Sequence, residues 1–188
     1  LITDMSNLFM DKSTFNGDIS SWDVSSVTNM KNMFYNSSFN GDISSWDVSS
    51  VTSMYQMFKY ASFNGDLSSW VVSSVTGHGM VNMFNSSAFN GDLSNWNISN
   101  VTSLHNMFRD TPFNQNISSW NVANVTDMQR TFYNTPFNQN ISNWDVSSAT
   151  DMVGMFDGAN NLSDENKCAI HASFQTNSNW PYNWCEQD

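Results

Sequence analysis

Basic side chains are scarce in this sequence. Six Lys and Arg stand against 17 Asp and Glu, which gives a net charge of −11. Binding to nucleic acid needs Lys and Arg to neutralise phosphates, and an anionic membrane likewise attracts clusters of basic residues. The composition therefore argues against nucleic acid and against a polybasic membrane contact.

Charge of either sign is low, and long apolar runs are absent. Charged residues make up 12% of the chain, and Ser, Asn and Thr replace them as polar residues, which suits surroundings of high or variable salt. No apolar run approaches the roughly 20 residues of a transmembrane helix, so we expect no membrane insertion. Aromatic residues at 14% and 12 Met still supply a core, so the composition is not that of a disordered chain.

The chain does contain an internal repeat. A Phe-Asn pair recurs every 24 residues, with a single step of 26, and a period of this length is typical of repeat architectures. The longer step contains extra residues around Gly77, His78 and Gly79. The repeated Phe residues are Phe15, Phe39, Phe63, Phe89, Phe113 and Phe137.

Each unit carries one apolar frame with two periodicities. Trp22 and Val24 alternate with polar residues, as in a short strand. Val27, Met30 and Met33 follow at intervals of three, as in a short helix or 3₁₀ turn. Stacked units would bury this frame in one continuous core that a single unit could not form. The pattern predicts an α/β solenoid with a parallel sheet on one face, short helical turns on the other, and a C-terminal helical cap.

The same pattern predicts the domain boundaries. The repeat domain covers 1–162, with a partial first coil at 1–14, and the cap covers 163–188. Six full repeats start at residues 15, 39, 63, 89, 113 and 137. Because the chain opens inside the helical half of a coil, we expect a fragment of a longer protein. It would be a monomer, or would self-associate weakly through its uncapped N-terminal end.

The C-terminal segment departs from the repeat. Ser163, followed by two acidic residues, predicts the start of a capping helix over 166–174. Cys168 and Cys185 are the only cysteines, and in an exported protein we expect a disulfide that contributes roughly 3 kcal/mol. Two free buried thiols or a metal site with His171 are the alternatives, although two Cys and one His fall short of a structural zinc set.

The repeated strings resemble a known family. FNGDISSWDVSSVTNMKNMF, from residue 15, and FNQNISNWDVSSATDMVGMF, from residue 137, are similar to the BspA-like leucine-rich-repeat family. The resemblance extends over essentially the whole chain, including the tail at 161–184. It implies a right-handed, leucine-rich-repeat-like coil stack, export from a bacterial cell, and a role in adhesion or recognition without a shared catalytic motif.

The outward positions of the predicted strands form a candidate ligand-binding face. Inward positions are filled by the core, so small polar residues line up outward at the spacing of a sheet. Such a ladder suits a repetitive ligand, although small polar residues also keep an exposed sheet soluble. Val71 interrupts the polar series close to the insertion at Gly77–Gly79. The face consists of Ser21, Asp23, Ser45, Asp47, Ser69, Val71, Asn95, Asn97, Ser119, Asn121, Asn143 and Asp145.

Acidic residues form a second column. Stacked carboxylates repel unless a cation or hydrogen-bond donors lie between them, so the column is either a calcium site or a series of turn caps. Asn at positions 116 and 140 favours turn caps, because the position then works without charge. A further column of Asn at 16, 40, 64, 90, 114 and 138 is predicted to be structural. The acidic column consists of Asp18, Asp42, Asp66 and Asp92.

No grouping of residues indicates catalysis. The three His lie in different units and no Gly-x-Ser-x-Gly elbow occurs, so we predict neither an enzyme nor a cofactor. The leading hypothesis is a secreted or cell-surface bacterial adhesion module whose polar face contacts a protein or a glycan. The alternatives are a structural spacer in a larger surface protein and, with less support because Thr is not dominant, an ice-binding protein.

Overall fold

The computed structural model describes residues 1–185, which form a stack of coils closed by one helix. Within that range α1, Asp164–Phe174, is the only regular element, and no strand is present. Over the same residues, no helix has the length and hydropathy of a membrane span. Coils also meet at isolated parallel bridges, which join Asp4 to Asn29, Asn29 to Ser53, Gly77 to Val101, Ser103 to Asp127 and Asp127 to Asp151.

The predicted α/β solenoid is therefore wrong. Five isolated bridges do not make a parallel sheet, and the coils in the described residues contain no helix. Both errors have the same physical cause: tight turns within each coil, and hydrogen bonds between coils, use the backbone amides that a strand or helix would need.

The predicted helical turn at 27–34 is a run of tight turns. Asn32 has φ +55° and Asn36 has φ +50°, a left-handed conformation that a right-handed helix does not accommodate. The Met33 amide donates to the Met30 carbonyl at 3.2 Å, which closes a turn with a positive φ at its third residue, as in type II turns. Apolar spacing of three thus reflects repeated turns.

Backbone pairing between coils stabilises this segment. The Met30 amide donates to the carbonyl of Ser53 at 2.9 Å. The Asn32 amide makes the equivalent bond to Tyr55, also at 2.9 Å. Every second amide along the segment points to the next coil in this way, so these amides are not available for hydrogen bonds within a helix.

The predicted strand around Trp22 and Val24 is also two turns. The Trp22 amide donates to the Ile19 carbonyl at 3.1 Å, and the Val27 amide donates to the Val24 carbonyl at 2.9 Å. Here the Trp side chain joins the coils, because Trp46 Nε1 donates to the Ile19 carbonyl at 3.1 Å. The same bond to the preceding coil is made by Trp70, Trp96, Trp120 and Trp144.

Two columns of Phe rings run through the core. Phe108 stacks on Phe84 and Phe132 in one column, with ring centroids 5.8 and 5.9 Å apart. Its ring also lies 3.8 Å from that of Phe113 in the other column. All four side chains are fully buried, and the apolar frame of the repeat forms a single cluster. The prediction of one continuous core is confirmed.

The C-terminal helix begins where the sequence predicts. Ser163 is the N-cap of α1, and its hydroxyl accepts a hydrogen bond from the Asn166 amide at 3.3 Å. A disulfide joins Cys168 on α1 to Cys185, with the two Cα atoms 5.4 Å apart. Residues 186–188 of the predicted cap lie outside the described residues.

Side chains of the tail attach it to the last coil. The Tyr182 hydroxyl accepts a hydrogen bond from the Phe156 amide at 2.8 Å and donates to Asp157 at 2.9 Å. Burial raises the pKa of Tyr182 well above its usual range. Trp180 Nε1 donates to Nδ1 of His171 at 3.0 Å, which ties the tail to α1. His171 is thus committed to Trp180 rather than to the cysteines.

Candidate functional site

The predicted binding residues lie on the two tight turns of each coil rather than on strands. We call the surface formed by residues 18–26 and their equivalents in later coils the turn edge. Two Asp or Asn columns run along it, one on each side of the Trp, and both are exposed. The functions of these columns follow from their hydrogen bonds.

The first column caps the first turn. Asp18 Oδ1 accepts hydrogen bonds from the Ser20 hydroxyl at 2.7 Å and from the Ser20 amide at 3.0 Å. These bonds lower the pKa of Asp18. The prediction of turn caps is confirmed in all six coils, and no group of three or more His, Cys, Asp or Glu within residues 1–185 could hold a metal ion. The same backbone cap is made by Asp42, Asp66, Asp92, Asn116 and Asn140.

Acid should destabilise the protein through these caps. Their hydrogen bonds lower the pKa of Asp18, Asp42 and Asp66 below the 3.8 of a free side chain. The unfolded chain therefore takes up protons first, and stability present above pH 3.8 is lost as the pH falls through the lowered pKa values. Replacing all three by Asn, which makes the same cap at 116 and 140, should weaken this acid dependence.

Urea unfolding at a series of pH values from neutral to about 2 measures the effect for the wild type and the triple variant. Below pH 4, the urea midpoint of the wild type should decline more steeply than that of the triple variant. At neutral pH the two midpoints should differ less. An identical acid dependence in both would show that these carboxylates do not control it.

The second column, predicted as a binding ladder, also caps turns. Asp23 Oδ1 accepts from the Ser25 hydroxyl at 2.6 Å and from the Ser25 amide at 3.1 Å, and these bonds lower the pKa of Asp23. Sequence reasoning missed this role, although the Asp-x-Ser spacing equals that of Asp18 and Ser20. Backbone caps of the same kind are made by Asp47, Asn97, Asn121 and Asp145.

Several other predicted binding residues tie one coil to the preceding one. The Ser69 hydroxyl donates to the Ser44 carbonyl at 2.8 Å. Equivalent bonds to the preceding coil are made by Ser45, Ser119 and Asn143. Much of the predicted face therefore has a structural role. The prediction placed these residues on strands with their side chains in solvent, so it did not include bonds between coils.

Val71 is the exception along the turn edge. It occupies the position of the second capping column, but its side chain offers no acceptor for the Ser73 amide. The side chain is 57% exposed. It lies in a shallow depression of about 310 Å³ whose lining includes Ser69, Asn95 and Asn97. The structure thus brings four of the predicted face residues together around one exposed apolar group.

The Asn column is a ladder through the return loops. Oδ1 of Asn16 accepts from the Asn40 amide at 2.8 Å, and each later Asn receives the amide of the next. The final member, Asn138, accepts from the amide of Ser163 at 2.9 Å. The predicted structural role is confirmed, and the ladder continues into the cap.

A second surface depression lies beside the insertion. The Met54 amide donates to the Gly79 carbonyl at 2.8 Å, and the Thr102 amide donates to the Gly77 carbonyl at 2.9 Å. The preceding and following coils thus pair with different glycines, and the exposed His78 lies between them. An open surface depression of about 430 Å³ lies beside the insertion, and it is lined by Lys31, Thr52, Ser53, Tyr55, Thr76, His78 and Gly79.

Comparison with known proteins corrects the family resemblance. A family model described as "Mycoplasma protein of unknown function, DUF285" matches residues 1–87 and again 78–169. No curated protein and no solved structure matches the chain. The BspA-like leucine-rich-repeat assignment is wrong: a different family model matches, and the described coils lack the strands of that fold. The chain belongs to the Mycoplasma protein family of unknown function DUF285.

Proposed function

We propose that this chain is a non-enzymatic binding module of an extracellular or cell-surface bacterial protein, and that its turn edge contacts a protein or glycan. The depression around Val71 is the observation that carries the proposal. It combines an exposed apolar group with amide and hydroxyl side chains, which is the usual composition of a site for an uncharged ligand.

Val71 is difficult to explain by stability alone. Five of the six full coils have Asp or Asn at this position, and each makes a capping hydrogen bond. Such a bond contributes about 0.5–1.5 kcal/mol. Val71 gives up this bond and exposes apolar surface, and a local departure of this kind is typical of functional positions.

The other features of the chain agree with an exported module. The Cys168–Cys185 disulfide is typical of proteins in an oxidising compartment. A surface rich in Ser and Asn keeps its hydrogen-bonding capacity at any salt concentration. A structural spacer is the second candidate, and it is favoured by the nearly uniform caps along the rest of the turn edge.

The variant Val71→Asp tests the proposal. Asp restores the capping acceptor seen at Asp47, so the fold should be retained or slightly stabilised while the apolar centre of the depression is lost. We expect the wild type to bind specific members of an array of glycans and immobilised peptides. Val71→Asp should lose those interactions, and the control Asp47→Asn, which keeps its cap, should retain them.

Each outcome distinguishes the candidates. Binding that survives Val71→Asp would move the site away from the depression. A folded wild-type protein that binds nothing on the array would favour the spacer.

A further inference from the structure

A second surface of each coil varies from coil to coil. We call it the variable edge and define it as residues 29–36 of the second coil with their equivalents at 53–60, 77–86, 103–110, 127–134 and 151–158. The position of Lys31 is occupied in successive coils by Lys31, Tyr55, Val81, His105, Gln129 and Val153. The position of Tyr35 is occupied by Tyr35, Lys59, Asn85, Arg109, Tyr133 and Asp157.

The coil architecture does not dictate these side chains. Neighbouring coils pair along this edge through backbone groups, including the carbonyls of Lys31 and Tyr35, so the pairing does not depend on the side chains at either position. In the fourth coil the two side chains, those of Val81 and Asn85, are buried. On the turn edge, by contrast, capping restricts the residues to Asp and Asn with one exception. The variable edge is therefore free to carry chemistry that differs between coils.

Three consecutive coils give this edge a basic and aromatic character. The segments 29–36, 53–60 and 77–86 contain no Asp or Glu, in a chain whose net charge is −11. We call the basic and aromatic side chains of these three segments the basic-aromatic patch. It consists of Lys31, Tyr35, Tyr55, Lys59, Tyr60 and His78.

The patch is ordered by contacts among its own side chains. Lys31 Nζ lies 5.2 Å from the centroid of the Tyr55 ring, and Lys59 Nζ lies 5.0 Å from that of Tyr60. The Tyr35 and Tyr60 rings meet edge to face at 5.6 Å. Among the described residues neither ammonium group forms an ion pair, so both charges are available to an anion.

The open depression beside the insertion forms part of the patch. Lys31, Tyr55 and His78 line it together with the hydroxyl-bearing residues Thr52 and Thr76. A ring face, an ammonium group and several hydroxyls are suited to a sugar ring that carries a carboxylate. The ring can stack on Tyr55, and Lys31 can form a charge-assisted bond to the carboxylate.

We propose that the basic-aromatic patch binds an acidic glycan through its carboxylate and sugar ring. This inference rests on the proposed binding function. It adds to the turn edge a second binding site, with acidic glycans as its ligand class. An acidic peptide fits less well, because the lining of the depression is hydroxylated and provides no apolar pocket for peptide side chains. The amides of Met54 and Gln56 are already paired with the next coil, so an added peptide strand would find few free donors here.

Calorimetric titration with trigalacturonate tests the proposal. Trigalacturonate should bind, and its methyl ester, which has the same rings without charge, should bind at least about tenfold more weakly. Lys31→Gln and Tyr55→Ala should each weaken binding of the acid by about tenfold or more. Lys167→Gln makes the same charge change on α1 and should have no effect. Triglutamate, which has the same net charge near neutral pH and no sugar ring, should bind far more weakly than trigalacturonate.

Several results would overturn the proposal. The first is absence of trigalacturonate binding by the folded protein, and the second is equal affinity for the acid and its ester. The others are equal affinity for triglutamate and an equal loss of affinity with Lys167→Gln. Val71→Asp separates this site from the turn edge and should leave trigalacturonate binding unchanged. If Val71→Asp abolishes array binding while trigalacturonate fails to bind, only the present inference fails. If neither the array nor trigalacturonate binds, the binding function itself fails.

Discussion

Replacing Phe108 by Ala should lower the free energy of unfolding by about 3–5 kcal/mol. The ring is fully buried between Phe84 and Phe132 and lies 3.8 Å from Phe113. Backbone bonds on both sides fix the separation of the coils, so the stack cannot collapse around the missing ring. The lost ring contacts and the remaining cavity should therefore both lower the free energy of unfolding. Urea unfolding followed by circular dichroism measures the change.

Phe9→Ala is the matched control. Phe9 belongs to the same column, but it lies in the first coil, is only partly buried, and has one neighbour in its column, Phe34, at 5.5 Å. Its replacement should cost much less, on the order of 1–2 kcal/mol, because less apolar surface is buried there. Equal losses for Phe9 and Phe108 would contradict the view that column packing between coils stabilises the fold.

Gly79→Ala should destabilise the protein by about 1–3 kcal/mol or more. A Cβ at this position would lie 2.6 Å from Cγ1 of Val75, 2.8 Å from the Thr52 carbonyl oxygen and 3.0 Å from that of Thr76. The two carbonyls are engaged in backbone hydrogen bonds, so they cannot move aside without losing them. The added methyl group should therefore distort the insertion, and urea unfolding again measures the cost.

Gly77→Ala separates steric overlap from backbone preference. Gly77 has φ +55° and no atom within 4 Å of an added Cβ, so Ala there meets only the cost of the left-handed conformation, about 1 kcal/mol. Gly79→Ala should thus be the more harmful of two substitutions only two residues apart. A larger loss for Gly77→Ala would contradict the close approach of coils at Gly79.

The sequence predicts the core well and the backbone poorly. Phe, Met and Val at a fixed period indicate burial whatever the local conformation. The structure buries this frame in the second to sixth full repeats, whereas Phe15 is partly buried and Trp22 is exposed in the first. The Trp-x-Val pattern fits a strand, but it also fits two adjoining turns that bury both side chains, as at Trp46 and Val48. The deciding signal was Asp-x-Ser, which occurs on both sides of Trp22 and is typical of capped turns.

The candidate site could also be predicted only in part. Val71 stands out in the sequence because it breaks a polar column, and the structure surrounds it with Ser69, Asn95 and Asn97. The depression beside Lys31 and Tyr55 could not be predicted, because those residues occupy what resembles the solvent face of a helical turn. Only the pairing of different coils with Gly77 and Gly79 brings His78 to the same depression.

The Asn ladder has a consequence for how the gene can change. The Asn side-chain carbonyl of each coil accepts a hydrogen bond from a backbone amide of the next coil. In the cap, the amide of Ser163 donates the equivalent bond to Asn138. Duplicating one coil in the coding sequence therefore adds a new rung and leaves every existing one intact. Whole units can be gained or lost by recombination without redesign of either neighbour, while the residues of the variable edge diverge separately in each copy.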